Sequence, residues 1–444
     1  MKPYHKAYFT AFILALLLVW SPYNALAYLA PLMVIFVFIV MTKSGTVIRN
    51  AILWFLVWGI VFCSYMLLTS DFLIHSALLA LMTYSSFLVV VAIPGRFVAS
   101  LDLLERMLAV VRWVVVLEAV VGITQGLYGF TRTGSFDLAN GDFVEGTIHP
   151  ALASELSLSN PMFAINMALL LIALLPDLIL RRRGYFAFLI GTLSLIMASV
   201  LHVLIMLGTA SFLSILIFRP ISLRRSSTYL VGASLIVAIL LSFFFLRGNF
   251  GTADGFARRL LSGESYRSIA IERAITEMPR DYPLLPLVGL GPGQFSSRAG
   301  LIGTGLYFGG PLFPRPVPFL PQGMTQAFEE NTLDLWVQFA ASKAGGSTHL
   351  PFLSWLSVYV EWGIMVLMAV FGLVILLLWR LRTVVRSYPQ RILATACSTG
   401  ILLLLFLGLQ ENYWEVPQAI LIGLMILKVQ YAALMDQNMR RRLI

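Results

Sequence analysis

The sequence predicts an all-α polytopic membrane protein: about twelve transmembrane helices, with one large outward loop before the last three. Three observations carry this reading. The 444 residues are 59% hydrophobic and only 12% charged, where soluble proteins carry roughly 25% charged residues, and the mean hydropathy is +0.87. Apolar stretches close to the ~20 residues a helix needs to cross a bilayer recur along the chain. Lys and Arg gather in alternate connections between them, the pattern left when positive charge resists translocation.

The expected spans are 7–21, 25–41, 50–69, 72–93, 107–128, 158–180, 185–200, 202–218, 228–246, 351–379, 392–410 and 416–434. No small-residue cleavage pattern follows the first apolar stretch, so it reads as a span rather than a cleaved leader. Basic residues mark one side: Lys2 and Lys6, Lys43 and Arg49, Arg96, Arg106 and Arg112, Arg181 to Arg183, Arg219, Arg224 and Arg225, Arg380 to Arg391, Lys428, and Arg440 to Arg442. They flank both ends of 184–220 and so require an even number of spans there, a tight pair. Twelve spans place both termini in the cytoplasm. Asn160-Pro161 reads as a helix start, with Ser159 or Asn160 as cap and proline in the first turn.

The chain divides into 1–246, nine spans with an outward loop at about 129–157; 247–350, a large outward (periplasmic) loop; and 351–444, three final spans. The large loop is dense in Gly and Pro, which break regular structure. Within it, Ser265–Glu277 and Thr325–Phe339 have helical spacing and are expected to lie along the membrane surface.

The net charge of +10 follows from topology, so nucleic acid is not an expected partner. The two cysteines, Cys63 and Cys397, fall in spans and give neither a disulfide framework nor a metal signature. The loop cations are Arg247, Arg258, Arg259, Arg267, Arg273, Arg280, Arg298, Arg315 and Lys343. The preference for Arg matters: a guanidinium binds phosphate through two parallel bonds and keeps its charge when partly buried. Loop acids nearly balance these cations, so each single arginine can equally be solvated or ion-paired. Gly289-Leu-Gly-Pro-Gly-Gln-Phe295 lacks the strand-turn-helix context of a nucleotide loop.

His349, at the loop's end, has the pKa range of a general base, against the plainer reading of a polar interfacial residue. Glu361 is a charge inside a span, which by default suggests function or a buried partner for an arginine. Glu118 and His202 pose the same question and read as interhelical contacts. In the first outward loop Arg132, Glu145 and His149, with Asp137 and Asp142, could hold a sugar, with Tyr128 and Phe143 as stacking surfaces.

Three segments together resemble the bacterial O-antigen ligase and O-antigen/exopolysaccharide polymerase superfamily. Ser262-Gly-Glu-Ser-Tyr-Arg267 and the downstream Val288-Gly-Leu-Gly-Pro-Gly-Gln-Phe295 are similar to its arginine segment and glycine turn. His349, Leu353, Glu361 and Gly363 resemble its histidine segment entering a span with Glu-x-Gly. Arg132 and Gly146 to Asn160 resemble its earlier outward loop. His349 stands one helical turn farther from Glu361 than is usual in that family. Gly208-Thr-Ala-Ser211 lacks the arginine often found in the eighth span, which places more weight on the loop arginines.

The resemblance implies a GT-C-like glycosyltransferase of the bacterial inner membrane, with its active site on the periplasmic face. It implies transfer of a glycan from undecaprenyl diphosphate to an acceptor sugar hydroxyl, with inversion and with no metal or other cofactor. Arg267 would bind the diphosphate, helped by Arg258, Arg259 or Arg280; His349 would deprotonate or orient the acceptor, supported by Glu361. The implied partners are the lipid-linked oligosaccharide, the acceptor glycan, membrane lipids, and a chain-length regulator or flippase. A polymerase is expected first, a ligase to lipid A core second. From another class, a secondary transporter or lipid-linked oligosaccharide flippase fits the span count, although no paired halves are visible.

Overall fold

The computed structural model describes residues 2–21, 24–134, 144–148, 159–220, 254–255, 258–260, 262–342 and 350–436. Among them every regular element is helical. The first part contains α1 (Pro3–Val19), α2 (Asn24–Thr42), α3 (Gly45–Leu68), α4 (Ile74–Thr83), α5 (Ser85–Ala92), the short α6 (Gly95–Val98), α7 (Leu101–Thr133), α8 (Ser159–Arg181), α9 (Tyr185–Met197) and α10 (Leu201–Phe218). The segment that follows carries α11 (Tyr266–Glu272), α12 (Arg298–Gly303) and α13 (Asp334–Ala341), with shorter turns between them. The last part is α14 (Ser354–Val384), α15 (Tyr388–Leu407) and α16 (Pro417–Met435).

Seven of these helices are long and apolar enough to cross a membrane: α3, α7, α8, α10, α14, α15 and α16. The chain is therefore a membrane-embedded all-α protein. Every expected span except the ninth has a helix or helix pair in its place; 228–246 lies outside the described residues. The fourth expected span is two helices, α4 and α5, bent by 53°. No Pro or Gly stands at that break. Instead the Thr83 hydroxyl donates to Ala80 O and the Ser85 hydroxyl to Met82 O, and such back-bonding bends helices. The thirteen residues of α9 extend about 20 Å at 1.5 Å per residue, short of a ~30 Å hydrocarbon core. The expected tight pair is α9 and α10, joined through Ser199 with φ 58°.

The centre of the bundle is α8, α15 and α16, which bury most of their apolar residues, while α3 and α14 leave theirs facing outward. Small and branched residues along α8 (Ala164, Ile165, Ala168, Leu170) and α16 (Ala419, Ile422, Ala432) belong to one buried core. Polar side chains cross between helices: Asn166 donates to Gln418 O at 2.6 Å, and Gln418 donates to Val19 O at 3.2 Å. At the Leu101 end of α7, Asp177 on α8 pairs with Arg112 at 2.5 Å and Arg181 at 3.5 Å, and Arg181 reaches Glu105 at 2.5 Å.

Residues 262–342 form a folded cap at the other end. It shares a core, including Met278, Phe295, Phe328, Trp336 and Phe352, with the first turns of α14. The two stretches of expected helical spacing are helical: α11 runs on through a π-helical turn (Arg273–Glu277), and another π turn (Glu329–Leu333) leads into α13. Arg273 clamps Asp334 through both nitrogens at 2.7 and 2.9 Å, tying the two helical stretches together.

Candidate functional site

The glycine run and Glu361 form one unit. Helix α14 is interrupted at Gly363, whose φ of 74° and ψ of 173° are not helical. The Val360 and Glu361 carbonyls near the break accept from Leu290 N at 2.8 Å and Gly291 N at 2.9 Å. The two backbones touch: a Cβ on Gly363 would stand 2.1 Å from Leu287 O, and one on Gly289 2.3 Å from the carbonyl carbon of Glu361. Both positions also have φ above 70°, which favours glycine.

The Glu361 carboxylate, fully buried, sits inside the turn this run creates. One oxygen accepts from Gly293 N at 2.7 Å; the other accepts from Phe295 N at 3.0 Å and Ser297 N at 3.2 Å. Gln294 fastens the turn to the start of α4 by accepting from Leu73 N at 2.7 Å and donating to Leu73 O at 3.1 Å. The Tyr65 hydroxyl donates to Val288 O. The run is thus a strut joining α3, α4 and α14, and two of its amides, with that of Ser297 just beyond it, are already occupied by a protein carboxylate.

Beside it lies a buried charge cluster on the α15–α16 connection. Arg298 donates to Glu411 at 3.0 Å and stacks over the Tyr307 ring at 4.7 Å. Glu415 accepts from Ala299 N at 3.4 Å, and Asn412 donates to Ser296 O at 2.6 Å. Arg267 donates to Leu350 O at 3.3 Å, to Gln410 O at 2.7 Å, to the Gln410 side chain at 3.4 Å and to Leu409 O at 3.5 Å. It thereby covers carbonyls just past the end of α15. The hydroxyl of Tyr413 and Nε2 of His202 are 3.3 Å apart, with the rings stacked.

The two arginines differ electrostatically. Burial opposes the charge of Arg298, but Glu411, Tyr28 and Glu415 outweigh it, and its pKa is raised. Burial dominates at Arg267 and lowers its pKa to about 10, with Glu411 and Tyr413 opposing. Burial also raises the Glu415 carboxyl, and Glu361 adds to this while Arg298 opposes it. Charge–charge attraction in so dry a place is weakly screened, and all three nitrogens of Arg267 already donate to protein oxygens.

The other expected site residues are placed elsewhere. Arg258 pairs with Asp254 at 2.7 Å, both well exposed. Arg259 and Arg280 are exposed and stand outside the buried cluster, because their faces of the cap point to solvent. Arg132 is exposed over the Tyr128 ring at 5.5 Å. Glu145 is buried, in a segment that folds back onto α7: Gln125 accepts from Glu145 N at 2.9 Å and Gly146 N at 2.7 Å, and Glu118 accepts from Thr147 N at 2.8 Å. Glu118 therefore holds this connecting segment, and His202 meets Tyr413 in the α15–α16 connection, so each joins a span to a connection rather than to another span. His149 and His349 lie outside the described residues, and the partners of Glu361 are the amides of the glycine turn.

Sequence reasoning passed over Glu411, Glu415, Asn412 and Tyr413. The available signal was the polar run Gln410-Glu-Asn-Tyr-Trp-Glu415 between two apolar stretches. Among the described residues no group of three or more His, Cys, Asp or Glu is arranged as a metal site. No protein-family model, curated protein or solved structure matches this chain.

Proposed function

We propose that the chain is a membrane glycosyltransferase that polymerises lipid-linked repeat units of a bacterial surface polysaccharide. In this reading the acceptor hydroxyl attacks the anomeric carbon of a glycan carried on undecaprenyl diphosphate. The bond from that carbon to the phosphate oxygen breaks, the lipid diphosphate leaves with the electron pair, and the configuration inverts. The hydroxyl proton passes to His349. The leaving group is good, so the work is alignment of the partners and stabilisation of the developing diphosphate charge; Arg267 does the latter.

The carrying observation is convergence. Arg267 meets Leu350, the residue after His349, and the glycine turn wraps Glu361. Arg267 thus touches the segment that carries His349, and the glycine turn touches the one that carries Glu361; both pairs join parts that resemble the O-antigen ligase and polymerase superfamily. The reading places the cluster on the periplasmic face of the inner membrane, opposite the basic Arg112–Asp177–Arg181 end, with both termini cytoplasmic.

The test is product analysis with reconstituted protein, a lipid-linked oligosaccharide, lipid A core and no nucleotide, comparing wild type with His349→Ala. A ladder of longer lipid-linked chains, lost in the variant, is the expected result. A single transfer to lipid A core makes the protein a ligase. A ladder that survives His349→Ala removes that histidine from the chemistry. Movement of donor across the membrane with no new glycosidic bond makes it a transporter.

A further inference from the structure

The cap carries an apolar surface that neither the buried cluster nor the cap's core uses. In 311–321, Pro-Leu-Phe-Pro-Arg-Pro-Val-Pro-Phe-Leu-Pro, five of eleven residues are proline and one is charged. The segment has no helix or strand and is exposed almost throughout. Phe313 is 76% exposed and Phe319 completely so, with Phe308, Leu312 and Val317 also exposed. Phe319 adopts φ 63°, a backbone conformation unfavourable for a bulky residue. The turn is tied off within itself by Arg315 N donating to Phe308 O at 2.6 Å.

The position of its base indicates what covers it. Gln326 N donates to Asp71 at 3.0 Å, and Gly323 packs on Leu73 and His75. These residues lie in the connection from α3 to α4. The end of α3 is an outward-facing apolar surface, with Leu67 88% exposed, on a helix long and apolar enough to cross the membrane. The segment that carries the exposed phenylalanines is therefore anchored at its base where a span leaves the bilayer.

The composition suits that place. Each proline removes an N–H that would otherwise need a partner on leaving water. Phenylalanine and leucine gain by insertion at the headgroup–acyl boundary, and the Arg315 stem is long enough to return its charge to the headgroups. We infer that residues 308–321 are a membrane-inserting loop, resting Phe313 and Phe319 in the bilayer leaflet on the cap side. It fixes the cap relative to the membrane surface, and it does so whatever reaction the buried cluster performs.

The test is nitroxide depth measurement in phospholipid nanodiscs. The exposed Cys63 is first changed to Ser; Cys397 is buried. Single labels are then placed by Phe313→Cys and Phe319→Cys, with Leu67→Cys as lipid-facing control and Glu272→Cys as water-facing control. At least one loop label is expected to collide with oxygen several-fold more than with an aqueous nickel chelate, as Leu67→Cys does. If both loop labels follow Glu272→Cys, the inference is wrong and the surface awaits a protein partner instead.

Discussion

Replacing Glu361 by Gln preserves the side chain's size while removing its charge and one of its two acceptor oxygens. The carboxylate holds three main-chain amides, Gly293 N on one oxygen and Phe295 N and Ser297 N on the other. A glutamine oxygen can keep Phe295 N and Ser297 N, but its NH₂ must then face the N–H of Gly293. Losing a hydrogen bond to a charged group costs about 1.5–3 kcal/mol, and the amide left unsatisfied adds about 1–3 kcal/mol. Removing a fully buried charge returns part of this, leaving a net loss of about 2–3 kcal/mol. The assay is thermal exposure of the buried Cys397 to a thiol-reactive dye in a Cys63→Ser background. Glu361→Gln should lower the unfolding temperature by several degrees. An unchanged temperature with lost transfer would refute the strut and return Glu361 to the chemistry.

The same dye assay checks other parts of the structure. Gly363→Ala should cost about 3 kcal/mol or more, from a strained positive φ and a Cβ driven against Leu287 O; wild-type stability would mean that α14 is not broken there. Asp177→Ala should cost about 1–2 kcal/mol by removing the partner of Arg112, and the loss should shrink when Arg112 is also made Gln. Burial raises the Glu415 carboxyl above its ordinary value of 4.5. The charged form is thus disfavoured in the folded state, and stability should fall as pH climbs from about that value through the raised folded one. Melting series of wild type and Glu415→Gln across that range should show a shallower slope in the variant; equal slopes would place the titration on another group.

The helices were legible because a bilayer imposes length and hydropathy locally, so α3, α8 and α14 follow from runs of apolar residues. The division of α4 from α5 was not legible. It depends on Thr83 and Ser85 turning their hydroxyls back on the helix rather than on a Gly or Pro. Arg267 stood out from the loop through the segment around it, but Arg298 did not. Its partner Glu411 lies 113 residues away, and no local periodicity reports such a pairing. Gly363 was visible as part of Glu-x-Gly. That it breaks α14 so that Leu290 and Gly291 can dock could only come from two backbones meeting in space. The expected helper arginines failed to join Arg267 because net loop charge says nothing of which face of a helix is buried.

Transfer by an Arg267→Ala variant tests the central claim most directly. Wild type and variant would be reconstituted with an undecaprenyl-diphosphate-linked oligosaccharide and an acceptor glycan, each first shown folded by protection of Cys397. The expected result is product from wild type and a loss of at least ~100-fold in the variant, the scale of removing one donor to a developing anion. Equal rates from the two folded proteins would contradict the assignment of the diphosphate to Arg267. No new glycosidic linkage from wild type with authentic donor and acceptor would contradict the glycosyltransferase itself.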